Sequence, residues 1–424
     1  MKQQFIDEIK KRAKPLHTND DLDAIVEAIG DTRIVLLGEA THGTAEFYNL
    51  RTELTKKLIT EKGFTTLSIS GNWVPFYEVT RYIKGHAHQN GDLAALLPEW
   101  FNEFPTWTRA NEEMIPLFEW LREYNQGLPE AEKIGFYGDD LKSLWLSLDE
   151  VIQSTERLGS PELVDLARKI QAGLATSQEN PQVYGLNAIF FNQSCEAMVT
   201  ELHQKLAEAR GGYKQNPSDD ELADEINALV LRNSEHYWRS MAMGGPDNWN
   251  IRARHMVQVI NRLIERQGEN GKIIVWGHNT HMGDARATEG MPAEGFVNVA
   301  QLMREHWGDD NVYAVGFSTN TGKVISAKDW NHPFEEVEVR AAHSGSWDAL
   351  LHEAGAEDKI LIFGKDEPIF STPLPQRAIG VVYHPDHQAE YQTYVASRLS
   401  DRYNALIYVD HTHAVKPLLP KGLN

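Results

Sequence analysis

Three observations on this chain predict a three-layer α/β/α fold with a mainly parallel central sheet. Short apolar runs without alternation recur along its length, the pattern of strands covered on both faces. Helical periodicities lie between them, as in folds that alternate the two elements. One long internal stretch, about residues 143–266, has helical patterning and no strand-like run, so a large helical insertion is expected over one end of the sheet.

Taken in order, the strand-like runs are residues 33–38 (RIVLLG), 65–70 (TTLSIS), 133–138 (KIGFYG) and 272–277 (KIIVWG). Residues 311–317 (NVYAVGF), 359–364 (KILIFG), 377–383 (RAIGVVY) and 405–410 (ALIYVD) complete the set. Phe47, Leu50, Leu54 and Leu58 form an apolar stripe on a helix after the first run, and Met256, Ile260, Leu263 and Ile264 form another before KIIVWG. Polar breaks at 177–184 and 211–220 divide the insertion into several helices. Because strand-like runs resume directly beyond it, residues 1–424 are read as a single domain with the insertion inside it.

Composition narrows the function classes. The chain has 424 residues, 41% hydrophobic and 24% charged, ample for a sizeable core. Lys and Arg number 41 against 61 Asp and Glu, a formal charge of -20, which argues against a nucleic-acid partner because a polyanion needs a basic footprint. The same charge weakly favours a cationic ligand. Cys195 is the only cysteine, so an intrachain disulfide and a thiolate-cluster metal site are both excluded. The amino-terminal stretch lacks an apolar signal core and no run approaches a spanning helix, so the expectation is a cytoplasmic protein with no membrane association. Oligomeric state is left open.

The densest chemical signal is Gly38-Glu39-Ala40-Thr41-His42-Gly43, directly after the first strand. Strand carboxyl ends are where functional loops of open α/β sheets converge. The positive end of a helix dipole favours neutral imidazole, the form a general base requires, and Glu39 is placed to orient that ring. The same residues also suit a plain cap, with Thr41 as N-cap and Glu39 solvated. The second signal is His278-Asn279-Thr280-His281, followed by Gly283 and Asp284, after KIIVWG. Two histidines three residues apart in a loop serve as zinc ligands, as donors to a developing oxyanion, or as ordinary loop residues, and spacing alone does not choose. Asp139 and Asp140 end a strand, Arg51 lies one turn beyond Phe47, and Arg252, Arg254, Arg286 and Glu289 flank these segments as ion-pair candidates. Trp73, Trp100, Trp107 and Trp249 suit core or crevice wall. There is no GxSxG elbow, no Walker A loop and no HExxH helix, and no histidine lies near Cys195 in sequence.

GEATHGTAEF, then YNLRTEL, then GHNTHMGDARATE make the chain resemble the erythromycin esterase family. The resemblance extends through FYGDDLKSL, GGPDNWNIRARHM, NVYAVGFSTNTG, RAIGVVYHP and YNALIYVD, essentially the whole chain. It implies a metal-independent hydrolase, one that opens macrolide lactones in the best-known members, with no cofactor. By resemblance the catalytic glutamate and histidine fall on Glu39 and His42, the site arginine on Arg51 and the paired histidines on His278 and His281. Ser70, Asp140, Glu46, Trp73, Asn279 and Asp284 are the expected substrate-binding or supporting residues. Two positions depart: Ser70 stands where the family usually has glutamate, and Ala253 where it often has aspartate. The leading expectation is therefore a hydrolase of small-molecule esters or lactones that activates water through His42. The alternatives are an attenuated or non-catalytic binding protein, motivated by Ser70 and Ala253, and a metal-dependent hydrolase using Glu39, His42, His278 and His281.

Overall fold

The computed structural model describes residues 2–86, 91–177, 181–191, 193–212, 214–241, 243–364, 367–386 and 392–419. Helix α1 (Lys2–Arg12), the short β1 (Lys14–Pro15) and α2 (Asp23–Ile29) lead into β2 (Ile34–Leu37). Next come α3 (Ala45–Lys62), β3 (Thr66–Asn72), α4 (Trp73–Lys84), α5 (Leu93–Trp100), α6 (Ile115–Asn125) and β4 (Gly135–Asp140). Helices α7 (Leu144–Arg157), α8 (Pro161–Leu174), α9 (Pro181–Phe190), α10 (Glu196–Ala209), α11 (Asp219–Met241) and α12 (Asp247–Glu265) then run with no strand among the described residues. After them stand β5 (Ile273–Trp276), α13 (Asn279–Met282), α14 (Val299–Trp307), β6 (Val312–Ala327) and β7 (Phe334–Val339). The chain ends with α15 (Trp347–Glu353), β8 (Lys359–Ile362), β9 (Leu374–Arg377), β10 (Tyr394–Ser397), α16 (Leu399–Arg402) and β11 (Ala405–Thr412).

The central sheet has the order β1-β8-β11-β6-β2-β5-β3-β4, with β7 paired to β6. From β11 to β4 every neighbouring pair is parallel, whereas β8, β1 and β7 pair antiparallel at the periphery. The sheet is covered on both faces, as unbroken apolar runs require. In β2, Val35 and Leu37 point into one core with Phe47, Leu54 and Phe118, while Ile34 and Leu36 point into another with Met256, Ile260 and Leu263. A third core, built on Leu148, Ile170, Val199 and Leu202, lies within the insertion. Helix α11 joins the insertion to the sheet, because Ile226 and Val230 pack into the same core as β5 and Leu231 packs into the insertion. No helix among the described residues is long and apolar enough to cross a membrane.

Several sequence expectations need correction. Residues 377–383 add no strand to the central sheet: Arg377 ends β9, and the rest make only isolated bridges, Ile379 to Thr41 and Val382 to Ala327. The polar residues before them pair instead, as β9 with β10 in a separate two-stranded sheet. KILIFG is a strand, but β8 is antiparallel to β11. NVYAVGF is only the start of β6, which continues through Ala327 and turns back as the partly exposed β7. The expected break at 177–184 is entered by α9 from Pro181, with residues 178–180 outside the described set, and α11 begins inside the break at 211–220, where Tyr213 is likewise outside it. The N-cap of α3 is Thr44, not Thr41, and its helix ends on Gly63 at φ 70, whose N–H closes onto the Leu58 carbonyl.

Candidate active site

Strands β2, β5, β3 and β4 are adjacent and parallel, so their carboxyl ends open on one edge. Each contributes a polar segment: Glu39 to His42 after β2, His278 to His281 after β5, Ser70 within β3, and Asp139 and Asp140 at the end of β4. Glycine lets the first two turns touch. A Cβ on Gly38 would lie 2.2 Å from Asn279 Oδ1, and one on Gly277 would lie 2.7 Å from Ser70 Oγ. Asn279 uses that approach to accept from the Phe317 N–H at 3.2 Å and donate to the Phe317 carbonyl at 2.7 Å, while its own N–H donates to the Glu39 carbonyl at 2.8 Å. Asn279 is thus a splint between loops, buried rather than open to a ligand.

Glu39 is buried and both of its oxygens are occupied. His42 Nδ1 lies 2.7 Å from Oε1, and Arg51 Nη2 donates to Oε2 at 2.5 Å. Burial by itself pushes the carboxyl pKa up, but the Arg51 charge and the contacts with His42 outweigh it and hold Glu39 far below the usual carboxylate range. An ionised carboxylate only accepts, so Nδ1 of His42 carries the proton and Nε2 is the free basic nitrogen. His42 keeps 21% of its side chain exposed, and its ring lies 4.8 Å from that of His278. Arg51 is not at the cavity: it is buried behind Glu39 with its guanidinium over Trp276 and Tyr48, at 4.5 and 4.8 Å. The residue expected as the site arginine thus bonds Glu39 from behind and is not on the cavity wall.

His278 and His281 differ. His278 accepts from the Thr280 N–H and contacts Thr280 Oγ1 at 2.9 Å, and its Nε2 faces the Ala40 carbonyl at 3.3 Å. Burial and the neighbouring His42 depress its pKa to about 3, so it is neutral. His281 stacks on Trp249 with centroids 4.6 Å apart and ring planes at 12°, and Arg252 Nη1 donates to its Nε2 at 3.3 Å. Its Nδ1, which then carries the proton, is buried without a partner. Burial and the Arg252 charge hold His281 well below the usual histidine range.

Asp140 grips Arg252 through both oxygens, at 2.9 and 2.7 Å, and that charge overrides burial to keep Asp140 ionised. Asp139 is its opposite. Burial, helped by the charge of Asp140, pushes it up to about 8 against the opposing effect of its bond from Ser68 Oγ at 2.8 Å. Ser70 lies on the cavity wall with its Oγ buried and unbonded. Ala253 is also buried but not on the wall.

These residues line a cavity of about 420 Å³, within the range that encloses a small molecule. His42, His278, His281, Ser70, Asp140, Trp100, Trp249 and Arg252 are on its surface. So are Arg109 and Lys142, which sequence reasoning missed, and Glu103, Phe104 and Trp330. The one usable signal for Lys142 was position, two residues past the acidic end of β4. Glu46 is elsewhere: it binds the His413 N–H at 2.9 Å and ring at 2.7 Å. Trp73 is core, stacked against Tyr137 at 5.5 Å. Asp284 is taken by Arg286 and Arg304. Arg254 is exposed, Glu289 pairs with Arg398, and Trp107 is core. Cys195 is buried in the insertion, where burial raises its pKa. Among the described residues no three His, Cys, Asp or Glu side chains are grouped to hold a metal, and the donors of Glu39 and His278 are already bonded within the protein.

The erythromycin esterase family model matches residues 59–412. The chain is 31% identical over 365 residues to erythromycin esterase type II of Escherichia coli, covering 81% of this chain and 84% of that protein. It is 22% identical over 434 residues to the putative hydrolase YbfO of Bacillus subtilis, covering 95% and 90%. Among solved structures, a Bacillus cereus protein superposes with a TM-score of 0.79 at 20% identity, over 98% of this chain and 99% of that one. A histidine-to-asparagine mutant of the erythromycin esterase EreC, in its open conformation, superposes with a TM-score of 0.66 at 16% identity, over 93% and 94%. With the strand-end histidines, their buried glutamate and these matches together, the chain belongs to the erythromycin esterase family of carboxylic ester hydrolases.

Proposed function

We propose that the protein hydrolyses small-molecule carboxylic esters, lactones included, by activating water with His42 and without a covalent intermediate. The observation that carries this reading is the buried Arg51–Glu39–His42 relay, which leaves one basic nitrogen at the wall of a cavity shared with His278 and His281. Water gives its proton to His42 Nε2 as its oxygen bonds to the acyl carbon. Ionised Glu39 stabilises the imidazolium so formed. The carbonyl oxygen becomes an oxyanion, met by Arg252 on the cavity wall, which Asp140 holds in place. Collapse of the tetrahedral species breaks the bond to the leaving oxygen, which takes the proton back from His42, and the alcohol departs with a carboxylic acid that loses its remaining water-derived proton to solvent.

A panel of aryl esters, alkyl esters and macrolactones tests the assignment. His42→Ala should lose on the order of a hundredfold or more in kcat on any substrate the wild type cleaves. Equal rates for the two proteins would end it. Binding without turnover in the wild type would support instead the non-catalytic reading that Ser70 motivates.

A further inference from the structure

The cavity does not share the sign of the whole molecule. Around it the chain carries a formal charge of -20. On its wall stand three cations, Arg109, Lys142 and Arg252, against two acids, Glu103 and Asp140. Asp140 is consumed by Arg252. Glu103 accepts from Asn72 Nδ2 at 3.0 Å, and burial pushes its pKa up, towards the neutral form. Arg109 donates to the carbonyls of Thr108 and Ser70, and its Nε is buried without a partner. Lys142 rests its ammonium over the Trp330 ring, 5.1 Å from the centroid, and Phe104 meets the same ring edge-on. Among the described residues neither Arg109 nor Lys142 is ion-paired to a carboxylate, which is unusual for partly buried cations.

We propose that the substrate is an anionic ester, one that bears a second, ionised acid group, and that Lys142 and Arg109 receive that group. This rests on the ester-hydrolase reading above and narrows it. A cavity wall with uncompensated cations attracts an anion and repels a cationic amino group, the reverse of what net charge suggests. Trp330 and Phe104 leave an apolar surface along which the chain between the two acid groups can lie.

The test compares three 4-nitrophenyl esters of similar length: the glutarate hemi-ester, the neutral butyrate and the trimethylammonio-butyrate. The hemi-ester should show a kcat/KM about tenfold or more above the neutral ester, and the cationic one should be poorest. Lys142→Met should collapse the hemi-ester to neutral ratio, whereas Lys142→Arg should retain most of it. Lys142 is pulled down to about 8, first by burial and then by Arg252 and Arg109, with Asp140 opposing. The preference should therefore fade as pH rises through that value. A neutral or cationic ester cleaved as well as the hemi-ester overturns the proposal, as does a Met variant that loses equally on both substrates. If wild type cleaves no ester beyond the His42→Ala level, the hydrolase reading fails by itself. Titration calorimetry with glutarate and with inorganic phosphate then decides the anion site by itself: binding lost in Lys142→Met upholds Lys142 as the receiver of an acid group, and phosphate in preference to glutarate marks that group as phosphoryl. No binding of either sinks it.

Discussion

Glu39 stands between a buried guanidinium and an imidazole, so its charge is felt twice. Replacing it by glutamine keeps the shape and reverses the logic, because an amide N–H facing Nδ1 moves the ring proton to Nε2 and removes the base. Glu39→Gln should lower kcat by about 10²-fold to 10⁴-fold. It should also cost about 3 kcal/mol of stability, since Arg51 is left buried without a counter-charge. Steady-state kinetics and denaturant titration check the two arms separately. Glu39 and His42 were legible in the sequence because strand, glycine and helix start are contiguous there. Arg109 was not, for its segment holds no chemical pattern, and Lys142 was marked only by its place two residues past the acidic end of β4; the fold brings both to the cavity that Ser70 lines. Arg252 reads locally as a surface ion-pair member; its partner Asp140 is more than a hundred residues away.

At the scale of elements, the parallel strands were readable wherever both faces are covered, as in IVLL of β2 and IIVW of β5, each buried throughout. The polar hairpin strand β7, FEEVEV, was invisible because only Phe334, Val337 and Val339 pack inward and its three glutamates are exposed, so no continuous apolar run is required. RAIGVVY misled for the converse reason: Ile379 and Tyr383 are buried by a small cluster with Val324 and Val339, not by a sheet position. The join between β2 and α13 is the element-level weak point. Gly38→Ala would drive a methyl into Asn279 and break its hold on Phe317. A loss of about 1–3 kcal/mol is expected, with kcat/KM falling as Glu39 and His278 separate. A lowered Tm with unchanged kinetics would show that the two loops hold position independently.

For the whole molecule, buried ionisable groups set how stability follows pH. His255 and His278, depressed to about 4 and about 3, and His281 all stay neutral when folded but bind protons when unfolded below the usual histidine value. Stability therefore falls on acidification below about pH 6.5, by about 1.4 kcal/mol per unit for each such group. Asp139, raised to about 8, works the other way: the folded state keeps its proton, so stability declines as pH rises towards 8. Together these groups place the maximum near pH 6.5, and thermal melts from pH 4 to 9 should show it. Asp139→Asn should flatten the decline up to about pH 8 and steepen the acid side, because its proton is held across the whole span from the usual aspartate value to about 8. The position of β2 has a further consequence, which concerns synthesis. It lies between β5 and β6, both encoded more than two hundred residues later, whereas β3 and β4 find each other early. At ribosomal speeds the nascent IVLL segment waits on the order of tens of seconds for either neighbour. During that interval the emerging polypeptide carries an open, sticky edge, and its yield in a cell depends on whatever shields that edge until the second half arrives.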